Sequence, residues 1–399
     1  MNLQVDENIF DAVRGMLLLG AYGDALGAPH EHDGLAGRIT DPEDLGRLAR
    51  ASTFYPRDTP GQPWWVWADA NAVQTMRGLL TDDTSFRMML LHPWLAQTAG
   101  RRVLMTESAF CEWLHREKEQ TTTIAYPPGL WRSRQQQITA WLRIYEAAEN
   151  GQSESFFAPD VPVVFGLFMY LDLAVLYGDD DPVKVYTLFR NFSLLDQGSA
   201  GVFTGLLAGI LAAGVRTQTS PAQFTDGFID TAWQLIKEAA SEATDRELQD
   251  LHTAKEVLEN MVHFGKVHRP NSGYTFLKTF RTQIYTDTAL PFHTSPSHLK
   301  NYHPLLFWVQ IISTLAYTAD RPFEALRILS AGVGDTDTVA SILGSIMGTW
   351  MGYDQVYEGC IGDTPLKKEC DAISQNSRTL YCTDLEDRVD LFVQKAHTV

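Results

Sequence analysis

The sequence predicts an all-α protein, because apolar residues recur at three- and four-residue spacing through much of its 399 residues while alternating β-branched runs bounded by tight turns are nearly absent. The first helical face is set by Ile9, Val13, Met16 and Leu17. Residues 51–69, with Pro56, Pro60, Gly61, Pro63 and the tryptophans Trp64, Trp65 and Trp67, interrupt the pattern and read as a loop. A helix is expected to open at Thr81-Asp82-Asp83-Thr84 and to continue through Phe86, Met89 and Leu90. A second loop is predicted over 119–133, where a threonine run is followed by Tyr126, Pro127, Pro128 and Gly129. Helical periodicity then returns in 161–177, 228–240 and 304–316, and in Val339, Ile342, Leu343, Ile346 and Met347 after Gly334-Asp335-Thr336-Asp337-Thr338. The whole reads as an all-α protein of roughly a dozen or more helices of ordinary length. No shift in composition divides it, so residues 1–399 are expected to form one domain with a loop-rich insertion at about 32–80.

Composition narrows the function classes. With 45% apolar residues the chain can build a large core. Its formal charge of −17 repels nucleic-acid backbones and anionic bilayers, so broad nucleic-acid binding and membrane association are not expected. A small anionic ligand stays compatible, since bound divalent cations reverse the local field of a pocket. The acidic start MNLQVDENIFDAVRG does not read as a secretory signal, and no window of 18 uninterrupted apolar residues suggests a membrane span. Cys111, Cys360, Cys370 and Cys382 form no CxxC pair and read as reduced thiols of a cytoplasmic protein, with a disulfide among the last three still open.

Three distant segments carry the chemistry: Gly23–Glu31 (GDALGAPHE), Thr81–Thr84 (TDDT) and Gly334–Thr338 (GDTDT). Asp and Thr are favoured helix N-caps, and acidic first turns suit the macrodipole, so either of the last two segments alone is accounted for by capping. A cap, however, needs one acceptor, whereas each segment gathers two carboxylates and two hydroxyls whose repulsion calls for an offset. Hard oxygen donors from two helix starts suit Mg²⁺ or Mn²⁺. Neither segment contains the His or Cys that zinc prefers.

The ordered set GDALGAPHE, TDDT and GDTDTVASILGSIMGTWMG, the last with Gly344, Gly348 and Gly352 spaced along one helix, resembles the ADP-ribosylglycohydrolase family. The resemblance runs from about residue 10 to 353 and is loose in the middle. It implies an all-α fold, a single compact multi-helix orthogonal bundle, and a site for two divalent cations, Mg²⁺ or Mn²⁺, held by Thr81, Asp82 and Asp83 and by Asp335, Asp337 and Thr338. Glu31 falls on the carboxylate that the family places near the scissile glycosidic bond, which makes Glu31 and Asp83 the catalytic candidates. Asp24 reads as a supporting or structural residue. The family's Gly-Asn-Gly and Met-Arg elements are replaced at 151–159, where Gly151, Ser153, Phe156 and Phe157 are the candidate substrate contacts; the two aromatics are equally at home in a core. A later Thr-His pair of the family is missing near 193–198.

The activity implied is metal-dependent hydrolysis of the bond between ADP-ribose and its acceptor, an ADP-ribosylated protein or other acceptor. Two alternatives follow from the altered middle segments and the tryptophan-rich insertion: a hydrolase of another ribosyl or nucleotide-like compound, and a non-catalytic protein that neutralises an ADP-ribosylating partner.

Overall fold

A computed structural model describes residues 3–27, 83, 84, 87, 107–120, 139, 142, 167, 170–191, 199–286, 304–332, 334–361 and 364–381. In chain order its helices are α1 (Leu3–Gly27), α2 (Glu107–Gln120), α3 (Pro182–Arg190), α4 (Ser199–Thr217), α5 (Pro221–Ala239), α6 (Asp245–His268), α7 (Gly273–Thr286), α8 (Pro304–Thr318), α9 (Pro322–Ser330), α10 (Thr336–Glu358) and α11 (Lys367–Tyr381). Among the described residues the only strands are Cys360–Ile361 and Thr364–Pro365, which pair as a minimal antiparallel hairpin. The fold is therefore all-α, as the periodicity predicts. Two local differences stand out. The predicted helix over 161–177 ends in a 3-10 stretch, Leu171–Tyr177, and α2 runs two residues into the segment read as a loop from 119. The Trp64, Trp65, Trp67 insertion lies outside the described residues.

The core is built on helices that are apolar all round. Every residue of α8 is buried, and α4 buries Ala200 through Ala212 together with Gly214 and Val215. A helix without a polar face has to be surrounded by others. Thus α4 is long and apolar enough by composition to cross a membrane, and 83% of its most apolar 18-residue window is buried inside the protein. It packs against α3 on one side and α10 on another, while α8 pairs with α6. Polar ties fix the outer helices. Asp181 caps α3 by accepting from the Val183 amide at 2.9 Å, with Pro182 at the first helical position. Thr244 and Glu247 form the capping box of α6, and the other Glu247 oxygen accepts from the Tyr186 hydroxyl at 2.6 Å, tying α6 to α3.

The most intimate contact is between α1 and α10, which run antiparallel with glycines facing backbone. Gly15 meets Gly348 and Gly352, Gly344 meets Leu19 and Gly20, Gly23 meets Ala340, and Gly27 meets Thr336 and Asp337. A Cβ at Gly15, Gly23, Gly27, Gly344 or Gly348 would overlap main-chain atoms of the opposite helix. These small residues, at spacings of three, four or eight along one face of each helix, let the two backbones approach directly. The α1 C-terminus also gains a partner: the Thr336 hydroxyl donates to the Gly27 carbonyl at 3.2 Å.

Gly352 breaks α10 with φ 75° and ψ 170°, a combination nearly restricted to glycine. The helix restarts under a cap from α1, because the Tyr353 amide donates to the Asp11 carboxylate at 2.8 Å. Burial pushes the Asp11 carboxyl above its usual value, against the hydrogen bond from Tyr353 that lowers it. Gly352→Ala is expected to cost about 1–3 kcal/mol from the strained backbone. Urea unfolding of the variant beside the parent measures it, and an unchanged midpoint would mean that the bend tolerates a side chain.

Cys360 and Cys370 are free thiols, so neither contributes to a disulfide here. Burial pushes the Cys370 thiol upward, leaving it protonated and unreactive.

Candidate metal centre

Two helix ends and a third helical segment bring carboxylates to one point. Asp24 lies in the last turn of α1, Asp337 in the first turn of α10, and Asp83 in a helical segment to which Thr84 and Arg87 also belong. One oxygen from each of Asp24, Asp83 and Asp337 lies within 4.8 Å of the others, and all three side chains are buried. The glycine contact explains the first pairing, since Gly23 and Gly27 flank Asp24 and rest on the backbone of Ala340 and of Asp337 itself.

The local fit of each carboxylate differs. Asp337 lies in the first turn of α10, where free amides favour negative charge. Asp24 sits at the wrong end of a helix for an anion, beside the carbonyl pole of α1, and no basic residue occupies that last turn to offset it. Its support comes from across the site: the Thr84 amide donates to Asp24 Oδ2 at 3.1 Å, and the Thr84 hydroxyl donates to the same oxygen. Thr338 Oγ1 donates to Asp83 Oδ2 at 2.7 Å, linking the start of α10 to the Asp83 segment. A hydroxyl that donates still has lone pairs with which to accept or ligate.

The donor set fits hard divalent cations. It is oxygen only, it is triply anionic when ionised, and the residues are 0%, 5% and 3% exposed for Asp24, Asp83 and Asp337, so water cannot screen their repulsion. Nitrogen and sulfur donors are absent from the trio, which disfavours zinc.

Of the residues singled out from the sequence, the structure brings Asp83, Asp337 and Thr338 together. Asp335 is the N-terminal boundary residue of α10, but its side chain makes no capping hydrogen bond and is not one of the three clustered carboxylates. Thr81, Asp82 and Glu31 lie outside the described residues, as do Gly151, Ser153, Phe156 and Phe157. Asp24, read from sequence as a supporting residue, stands among the three carboxylates. An acidic residue in the last turn of an apolar helix was the available signal, because that placement is locally unfavourable.

Sequence reading also missed Arg87 and Asp172. Arg87 Nε donates to Asp172 Oδ2 at 2.7 Å and Nη2 to Oδ1 at 2.6 Å, a forked pair with both side chains buried. Nη1 donates to Ser341 Oγ at 2.5 Å and Nη2 also reaches Ser345 Oγ, both on α10.

No curated protein matches the sequence. A solved structure described as an ADP-ribosylglycohydrolase-related protein complex is similar at 16% identity and a TM-score of 0.44, over 94% of this chain and 99% of that one. The family model for ADP-ribosylglycohydrolase matches residues 5–384. With nearly its whole length matched, and the family's acidic segments meeting in space, the chain belongs to the ADP-ribosylglycohydrolase family.

Proposed function

We propose that this family member is a divalent-metal-dependent hydrolase that cleaves the glycosidic bond between ADP-ribose and its acceptor, reversing ADP-ribosylation. The observation that carries the reading is the convergence of Asp24, Asp83 and Asp337 from three separate helices. A purely structural origin would have to explain three buried carboxylates at mutual distances where like charges repel.

In this reading Asp83 and Asp337 hold the cations, Asp24 completes the set, and Thr338 and Thr84 keep the Asp83 and Asp24 carboxylates oriented through the hydrogen bonds already described. Thr81, Asp82 and Asp335 are assigned as further ligands from the family resemblance. Two Mg²⁺ or Mn²⁺ ions held there would supply Lewis acidity and offset the charge of the site and of the substrate diphosphate. Glu31 handles the proton. As water adds to the anomeric carbon and the bond to the acceptor breaks, Glu31 takes a proton from the water and passes it to the departing acceptor. Gly151, Ser153, Phe156 and Phe157 would line the ADP-ribose pocket, and the acceptor is an ADP-ribosylated protein or another ADP-ribosylated molecule.

The test is turnover of ADP-ribosylated arginine, serine and nucleobase substrates with Mg²⁺ or Mn²⁺, in the parent and in Glu31→Gln. Hydrolysis of at least one substrate, abolished by chelation, is expected; Glu31→Gln should bind metal like the parent but lose turnover by about 10²-fold or more. Full activity in Glu31→Gln removes that residue from the chemistry. Turnover of none of these substrates overturns the assignment to ADP-ribosyl-acceptor hydrolysis.

A further inference from the structure

One helical turn behind the carboxylates lies a second layer with its own geometry. Arg87 follows Asp83 by four positions, Ser341 follows Asp337 by four and Ser345 by eight, and Gly20 precedes Asp24 by four. In a helix that spacing places residues on one face, one turn apart. Each of the three elements that contributes a carboxylate therefore contributes to a layer built around the Arg87 guanidinium. Asp172, from the 3-10 stretch, closes it through the forked pair.

We propose that Arg87 is a positioning residue for the metal-holding carboxylates: its guanidinium locks the Asp83 segment in register against α1 and α10, and Asp172 fixes the guanidinium. The proposal rests on the metal-binding reading of the site. Three features support it. First, Gly20 makes the room, because a Cβ there would stand 2.7 and 2.8 Å from the guanidinium nitrogens. Second, the planar fork serves Asp172 and two hydroxyls on α10 at once, a task for which a lysine ammonium has the wrong shape. Third, the charge of Arg87 is matched by Asp172, so the guanidinium can stand behind the anionic site without substituting for the cations. Fold stability does not require such a pair, since buried ion pairs are commonly replaceable by apolar residues of like volume. Positioning does require it, because hydrogen bonds that orient ligand-bearing elements tune affinity strongly.

The test separates the two roles by measuring metal-free thermal stability and Mn²⁺ affinity by calorimetric titration. Arg87→Met alone strands the Asp172 carboxylate and should melt early. The double variant Arg87→Met/Asp172→Leu should regain much of the parental midpoint while binding Mn²⁺ about 10–100-fold more weakly. Ser341→Ala/Ser345→Ala keeps the ion pair but cuts its ties to α10. Its affinity should fall severalfold at a near-parental midpoint, so the proposal is decided even where the first double variant does not fold. Parental Mn²⁺ affinity in either folded double variant overturns the positioning role and leaves the metal reading standing. A parent protein that binds neither Mn²⁺ nor Mg²⁺ overturns both.

Discussion

Asp337→Ala is expected to act in opposite directions on binding and on stability, abolishing divalent-cation binding while raising the melting temperature of the metal-free protein. The carboxylate lies within 4.8 Å of two others, in a place 3% exposed. At an effective dielectric of ~20, two unit charges at that spacing repel by about 3 kcal/mol. Without metal, then, Asp337 is a liability to the fold; with metal it is a ligand whose loss costs more than the 10–100-fold typical of supporting groups. Asp83→Ala should lose metal equally but gain less stability, because it also discards the hydrogen bond from Thr338. Thermal scans with and without Mn²⁺, beside turnover assays, read both effects. Parental Mn²⁺-induced stabilisation in Asp337→Ala would exclude that residue as a ligand. A metal-free midpoint below the parent's would show instead that hydrogen bonds within the fold already compensate its charge.

How much of this was legible in the sequence depended on the range of the interaction. The helical class followed from local periodicity, and α4, α8 and α10 carry enough apolar residues to announce burial. TDDT and GDTDT stood out because each concentrates carboxylates at a helix start, more than one cap can use. Asp24 was undervalued for the converse reason: its meaning lies in what approaches the end of α1, not in its neighbours along the chain. The same holds more strongly for Arg87 and Asp172. They are 85 positions apart, and no spacing rule joins a lone arginine to an aspartate in an apolar stretch. The glycines Gly344, Gly348 and Gly352 were visible as a pattern, but that the first two face the backbone of α1, while the third bends α10 over Asp11, required the tertiary contact.

That contact gives the second large effect, and its sign decides the matter. Gly→Ala within a helix ordinarily stabilises by about 1 kcal/mol, since glycine forfeits more backbone entropy. At Gly348 and Gly23 the added methyl would instead overlap main-chain atoms, of Gly15 and Met16 in the first case and of Ala340 and Ser341 in the second. No rotamer change relieves a clash with backbone, so the helices must move apart, at a cost at or above the ~1–3 kcal/mol of ordinary overpacking. Both variants should melt well below the parent. Their metal affinities should differ. Gly23 adjoins Asp24 and sits over the first turns of α10, so separating the helices there carries Asp24 away from Asp337. Gly348 lies eleven residues beyond Asp337, about 16 Å along the axis, where the same separation is felt less at the site. The expected order of Mn²⁺ affinity is parent, then Gly348→Ala, then Gly23→Ala. If both variants bound Mn²⁺ as the parent does while melting early, the spacing of α1 and α10 would matter to the fold but not to the carboxylates. A higher melting temperature in either would show that ordinary helix propensity outweighs the contact.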